Sequence, residues 1–401
     1  MNENKTARLT ALKIENRRLI LGSIKGNTSC SDISRKTGLS YTCVVTLIDE
    51  LIREEVLIKT SAEVTTGVGR RPIWVKFNPR KNIVCVISFV GRYSFQLCDL
   101  DGTVLYAEPQ NFETLPISRG KIEAFTDKID RLLKTEFADC TLRNINVAAP
   151  GRYDKATGEM VYAPSFAEKF NFVRMFGDRF GVPVTLKNDL KFAILAEKAY
   201  GNNKEKICDT LFIQLGGRGI GCSLFLDGKL HEGANGFSGE VGLFVVDYAN
   251  GLSALGRGEP TRLFLQKSST ENFVRAAEKL LQCGTESCLE EGRITEERIA
   301  EGYIAGDKVC TEIVEGSIVL ASDVIRSLAE VLDFRNVIVA KRTEMYGPAY
   351  LQKLCESING GSQLYPIEVF PASFGEEGVA MGAYSLGAEQ ALDVIARDVT
   401  E

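Results

Sequence analysis

The stretch 211–247, LFIQLGGRGIGCSLFLDGKLHEGANGFSGEVGLFVVD, decides how the rest of the chain is read. An apolar strand, Leu211 to Leu215, enters a glycine-rich turn carrying Gly216, Gly217, Gly219 and Gly221. A second apolar strand, Cys222 to Leu226, returns to Asp227-Gly228, a two-residue hairpin signal. A polar, glycine-dense segment then carries Gly239-Glu240-Val241-Gly242 before a third apolar run, Leu243 to Val246. Glycines let a backbone approach a ligand closely and present N–H groups to a phosphate. They also make tight turns between strands and nothing more, and from this stretch alone that plainer reading is preferred.

Taken whole, the stretch resembles the central signature of the ROK family (repressors, open reading frames and sugar kinases). That pattern is a strand, a glycine turn, a strand ending in Asp-Gly-Lys, then Gly-Ala-Asn-Gly and Gly-Glu-x-Gly-His. Here it stands as Asp227-Gly228-Lys229, Gly233-Ala234-Asn235-Gly236 and Gly239-Glu240-Val241-Gly242, with Leu243 in place of the histidine. So many matches in one order are more specific than any single glycine motif.

A chain of 401 residues is long enough for two or three well-buried domains. Its 44% apolar and 25% charged residues are those of a soluble globular protein. Apolar runs such as Ile83 to Val90 are too short to span a bilayer, and the start, MNENKTARLT, has no hydrophobic signal core. Eleven cysteines lie scattered without a CxxC pair and read as reduced, buried, small apolar residues. A cytoplasmic protein with no membrane partner is expected. Charge is unevenly spread: residues 1–80 hold 14 Lys and Arg against 8 Asp and Glu, whereas the remainder holds 34 against 45. A basic head on an acidic body implies that only the head meets a polyanion.

In that head, Thr6 to Lys25 reads as an amphipathic helix with Leu12, Leu19, Ile20 and Ile24 on its apolar face. Ser29 to Asp32 is a capping-box-like start to a short helix ending at Thr37. Gly38-Leu39-Ser40 turns the chain, and Ser40 caps a third helix, Tyr41 to Glu54, with Val44, Leu47, Ile48 and Leu51 on one face. This is the helix-turn-helix pattern, whose second helix enters the major groove of DNA. Ser40, Tyr41, Thr42 and Thr46 are placed to touch base edges. Val56 to Lys59 and Ile73 to Phe77 alternate as the two strands of a wing, and between them Arg70 and Arg71 suit a narrow minor groove. The competing readings are a solvated linker for the arginines and a protein-binding tip for the helices. The positive balance favours nucleic acid. Gly69-Arg70-Arg71-Pro72 and Phe77-Asn78-Pro79 also resemble the wing-to-body joint of ROK repressors.

The body shows strands at Ile83 to Val90, Tyr93 to Cys98 and Thr103 to Tyr106, a helix from Lys121 to Phe137, and a strand from Ile145 to Ala149. Pro150-Gly151-Arg152-Tyr153-Asp154 and Gly158 to Pro164 resemble the family's Pro-Gly-x-x-Asp and Gly-x-x-x-Tyr-Ala-Pro. The order of elements fits an α/β protein: a winged helix-turn-helix over 1–80, then two actin/hexokinase-like lobes with a cleft between them. The first lobe is expected over 81–200, completed by a C-terminal helix (384–401), and the second over 201–383. The resemblance covers essentially the whole chain.

In ROK kinases an Asn-Asp pair binds sugar hydroxyls and its Asp is the general base, a task that suits a carboxylate. The resemblance places Asn188 and Asp189 there, although Asn and Asp also cap helices well. Glu240 matches a second sugar contact. Other parts are altered. The phosphate-binding Asp-x-Gly-x-Thr is missing, since Lys81 to Cys98 contains no acidic residue to position Mg²⁺. Where the family has Gly-Gly, Lys341 and Arg342 would crowd an adenosine. The family's zinc positions fall on Leu243, Ser253, Leu255 and Pro260, which make no N/S site, and Cys283 and Cys288 bring no partner ligands. His231 is expected to face solvent. A further family glutamate falls at Arg262, which would favour an anionic ligand such as a sugar phosphate or sugar acid.

The expectation is a DNA-binding transcriptional regulator, a repressor of carbohydrate-metabolism genes, without kinase activity or cofactor, a homodimer or homotetramer on a double-stranded operator, controlled by a sugar or sugar derivative in the cleft between the lobes. An ATP-dependent sugar kinase with a DNA-binding tip, and a ligand-free DNA-binding scaffold, are the alternatives.

Overall fold

The computed structural model describes residues 2–60, 72–110, 116–217, 219–246, 263–360 and 365–398. The head opens with α1 (Asn2–Ser23), β1 (Thr28–Ser29), α2 (Cys30–Thr37) and α3 (Tyr41–Arg53). β2 (Leu57–Thr60) and β3 (Trp74–Phe77) follow and pair antiparallel, with Leu57 opposite Phe77. β1 adds a third strand to β3, with Thr28 opposite Val75, which periodicity over two residues does not reveal. The helix-turn-helix forms for local reasons. Ser29 accepts the Asp32 N–H at 3.1 Å to start α2. Gly38, at φ +73°, ends that helix in the left-handed region, which a side chain would strain. Val44, Leu47, Ile48 and Leu51 are buried as expected.

On α1 the expected face is partly wrong. Leu12 and Leu19 are 58% and 41% exposed, while Ile20, Leu21 and Ile24 are buried around a fully buried Arg17. A buried arginine breaks the apolar period, so the pattern indicates the wrong stripe.

The chain next forms β4 (Asn82–Ser88), β5 (Tyr93–Asp99), β6 (Val104–Pro109), α4 (Arg119–Lys134), β7 (Thr141–Ala148), β8 (Arg152–Tyr153), β9 (Met160–Tyr162), α5 (Phe172–Phe180), β10 (Val184–Lys187) and α6 (Asp189–Tyr200). There follow β11 (Thr210–Gln214), β12 (Gly221–Leu226), β13 (Lys229–His231), α7 (Phe264–Ser268), α8 (Thr270–Gln282), α9 (Glu296–Ile304), α10 (Lys308–Leu332), β14 (Asn336–Val339), α11 (Pro348–Asn359), β15 (Glu368–Pro371) and α12 (Glu377–Arg397).

These elements gather into two compact units, one of residues 1–151, 157–187 and 383–401, the other of 152–156 and 188–382. Each holds a five-stranded sheet, ordered β10-β7-β4-β5-β6 in the first and β13-β12-β11-β14-β15 in the second. In both, an antiparallel meander is extended by two parallel strands on the side of its first strand. The second sheet thus repeats the topology of the first.

The first unit's core is aromatic, with Phe89 stacked on Phe172 at 5.0 Å and edge-on to Phe166 at 4.9 Å. In the second, alternation along β11 sends Leu211 and Ile213 to a core shared with Val314, Ile318 and Ile325 of α10. Phe212 faces the other way, toward Ile194 of α6. α6 therefore groups with the second sheet, whereas the sequence reading leaves residues 188–200 in the first lobe.

Asp227 and Gly228 both have positive φ, as a two-residue hairpin of this kind requires. The third apolar run is no buried strand: Leu243, Phe244 and Val245 are exposed. The eleven cysteines are free thiols, but Cys208, Cys283 and Cys288 are exposed rather than buried. Among the described residues no helix is long and apolar enough to cross a membrane.

Candidate nucleic-acid interface and ligand site

The N-terminal turns of α3 present Ser40, Tyr41, Thr42 and Thr46 to solvent. Ser40 is also the helix cap, accepting the Cys43 N–H at 3.3 Å, and the Thr46 hydroxyl donates to the Thr42 carbonyl at 3.0 Å. Tyr41 is 43% exposed although it could pack as an apolar residue. Exposed Arg35 and Lys36, in the last turn of α2, flank the same surface and were not singled out from the sequence. Their signal was two basic residues immediately before the Gly38 turn. Arg35 is paired with Asp32 at 2.6 Å, within its own helix. Arg70 and Arg71 lie outside the described residues.

The second unit collects the candidate ligand residues. Asn188 is the N-cap of α6, accepting the Leu190 N–H at 3.0 Å, so the capping alternative is built into the structure. Asp189 follows as the first helical residue. Burial raises its carboxyl to about 6 against the pull of the backbone N–H groups of residues 189 and 190, and the charges of Glu240 and Glu376 push the same way. Glu240 is raised by burial too, opposed by Arg152 and Lys191. Arg152 approaches Glu240 at 3.7 Å.

Two lysines hold the glycine-dense segment beside these carboxylates. Lys155 donates to the Gly233 carbonyl at 2.8 Å, and buried Lys191 donates to that of Gly236. Gly239 has φ +100°, and a side chain there would collide with the Cys222 carbonyl. The segment preceding Glu240 is thus tied to α6 and to β12. Arg152 and Lys191 were missed because a lone cation carries no pattern of its own. Leu243 ends a single 3-10 turn, Val241–Leu243, and is 42% exposed. Ser253, Leu255, Pro260 and Arg262 lie outside the described residues. His231 is exposed, as expected.

The glycine turn after β11 is occupied by the protein itself. Gly216 and Gly217 both have positive φ. A Cβ on Gly216 would lie 2.7 Å from Glu296 Oε1, and one on Gly217 3.0 Å from Arg342 Nε. Glu296, 1% exposed, accepts from Arg342 at 2.6 Å, from Tyr346 at 2.8 Å and from the Thr270 hydroxyl. Burial opposes its charge, but Arg342, Thr270 and Tyr346 outweigh burial and hold its carboxyl below the ordinary range. Arg342, expected to crowd a nucleotide, instead turns onto this carboxylate.

The model of the ROK family matches residues 91–390. The chain belongs to the ROK family. Among its ROK relatives, the xylose repressor of Caldicellulosiruptor bescii is 25% identical over 391 residues, covering 94% of this chain and 96% of that protein. The xylose repressor of Bacillus spizizenii is 24% identical, covering 96% and 98%. NagC, a DNA-binding transcriptional dual regulator of Escherichia coli, is 25% identical over 72% of this chain and 70% of its own length. Among solved structures, a ROK family transcriptional regulator described as a homologue of the E. coli MLC protein aligns with TM-score 0.77, at 18% identity, over 97% of this chain and 99% of its own. A ROK glucokinase from Streptomyces griseus aligns with TM-score 0.58, at 20% identity, over 76% of this chain and 99% of its own. The fold is that of a ROK regulator, and the kinase leaves about a quarter of this chain unmatched.

Proposed function

We propose that this ROK protein is a sugar-responsive transcriptional repressor. The observation that carries the reading is the winged helix-turn-helix head, whose α3 offers Ser40, Tyr41, Thr42 and Thr46 to solvent at its N-terminal end. That is the end of a recognition helix that meets base edges. The near full-length relatives named xylose repressors support the same assignment. One short helix reads few base pairs, so two protomers act together on a pseudo-palindromic duplex, as a homodimer or a dimer of dimers. Arg70 and Arg71 extend the contact into the minor groove.

In the body, Asp189 and Glu240 receive the hydroxyl groups of a sugar or sugar derivative, with Arg152 and Lys191 setting the charge around them. Arg262 is assigned to the same ligand. Two carboxylates offer several acceptor sites, which suits a polyol more than a planar or apolar ligand. No turnover and no cofactor are assigned.

Fluorescence anisotropy with duplex DNA from upstream of the protein's own gene, in about 0.15 M salt, tests both halves. One segment is expected to bind at least about a thousandfold tighter than random duplex. One member of a panel of pentoses, hexoses, N-acetyl hexosamines and their phosphates is expected to change that affinity by tenfold or more, a coupling of about 1.4 kcal/mol. Binding without sequence preference, or no response to any sugar, would overturn the proposal.

A second reading, a sugar kinase with a DNA-binding head, is favoured by the retained Asn188, Asp189 and Glu240. The Glu296–Arg342 pair in the glycine turn stands against it. ADP release in the presence of the same panel separates the two readings, because turnover with any sugar would restore the kinase.

A further inference from the structure

Cys288, Asp307 and Cys310 come together in the second unit although 22 positions separate the first from the last. Their two Sγ atoms and a carboxylate oxygen all lie within 4.8 Å of one another. Cys288 sits in the loop between α8 and α9, Asp307 is the N-cap of α10, and Cys310 lies in the first turn of α10.

One carboxylate organises the group. Asp307 Oδ1 accepts the Cys310 N–H at 3.0 Å and the Ser287 hydroxyl at 2.9 Å, while Oδ2 accepts the Cys288 N–H at 2.6 Å. The cap of α10 therefore also fixes the loop so that its cysteine faces Cys310. Gly302 of α9 leaves the space: a Cβ there would strike Cys310 Sγ and lie 3.1 Å from Cys288 Sγ.

We propose that Cys288, Asp307 and Cys310 form a binding site for a thiophilic divalent cation, with Zn²⁺ the best fit. Two thiolates and one carboxylate are donors that Zn²⁺ accepts in tetrahedral geometry, whereas Mg²⁺ and Ca²⁺ take oxygen alone. Cys288 is exposed and Cys310 buried, so the fourth position opens to solvent and takes a water. Binding releases two thiol protons, and two thiolates with one carboxylate against the cation leave a net single negative charge. The site shares no residue with Leu243, Ser253, Leu255 or Pro260, and the neighbours of Cys288 in it, Asp307 and Cys310, come from α10. A bound ion joins the loop after α8 to the start of α10.

The test uses the full chain, reduced and freed of metal, titrated with Co²⁺ and then Zn²⁺. The expected result is saturation at one Co²⁺ per chain, with thiolate-to-metal charge-transfer absorption and the visible bands of a tetrahedral ion, displaced by one Zn²⁺. Cys288→Ser, an exposed change that leaves the fold intact, is expected to weaken Zn²⁺ by about tenfold or more and reduce the charge-transfer band, while Cys283→Ser leaves both unchanged. Absence of charge-transfer absorption at one equivalent would overturn the site. So would an unaltered spectrum in Cys288→Ser, or conversion of the reduced pair to a disulfide in place of metal uptake.

Discussion

Arg17 of α1 grips the carboxylate of Glu54, the C-cap of α3, through both terminal guanidinium nitrogens, at 2.8 and 2.5 Å. The same guanidinium donates to the carbonyl of Ile395 in α12 at 3.0 Å, and neighbouring Arg18 pairs with Asp393. The side chain of Arg17 is 1% exposed. One buried cation therefore joins the end of α3 to α12.

Replacing Arg17 by Met keeps the bulk and removes the bridge. Because Glu54 retains some contact with solvent, the expected loss is about 2–4 kcal/mol, nearer the lower end of what breaking a buried pair costs. Calorimetry should show the head melting earlier than the rest, and operator affinity should fall. A single unshifted transition with unchanged DNA binding would show that the clamp couples nothing.

Ser40 and Thr42 separate stability from recognition. Ser40→Ala removes the cap of α3 and should cost about 1 kcal/mol in urea unfolding. Thr42→Ala, at an exposed position, should leave stability within about 0.5 kcal/mol yet weaken the specific duplex by about 1–3 kcal/mol. Equal losses on operator and random DNA would assign Thr42 to the backbone rather than to a base.

The carboxyl of Asp189, raised to about 6, makes stability depend on pH in a defined direction. A raised carboxyl keeps its proton in the folded chain at a pH where the unfolded chain has lost it. Its contribution is therefore greatest in acid, declines from about pH 4 to about pH 6, and is flat above. Asp189→Asn should gain on the parent protein across that window, by about 1–3 kcal/mol. Urea melts at several pH values measure the difference, and an offset that does not vary with pH contradicts it.

Glu296 tests whether the filled glycine turn is structural. Glu296→Gln leaves Arg342 without its counter-charge and should destabilise the second unit by about 2–4 kcal/mol. With the pair intact, a millimolar adenine nucleotide should leave the melting temperature unchanged. A nucleotide-dependent rise would show that the turn remains open to phosphate.

The features legible in the sequence are those written in short range. Ser29, Gly38 and Ser40 punctuate α2 and α3 where expected, and Asp227-Gly228 marks its hairpin. Asn188, Asp189 and Glu240 stand out through the family pattern, and all three fall in the same unit. What escaped depends on partners far along the chain. Leu12 and Leu19 match the helical period as well as Ile20 does, but the burial of Arg17 is decided by Glu54 and Ile395. Arg342 reads as bulk until Glu296, 46 positions away, is seen to hold it. Cys288 and Cys310 belong to no spacing motif, since the turn at Asp307 brings them together.

Glycines let α12 seat closely at two places before it reaches the head. A side chain on Gly382 would run into the Phe192 carbonyl, and one on Gly387 would sit 2.6 Å from Val84. Past those seats, the final turn offers the very carbonyl from which Arg17 hangs. A substitution that frays that turn is therefore expected to be felt at α1 and at the end of α3.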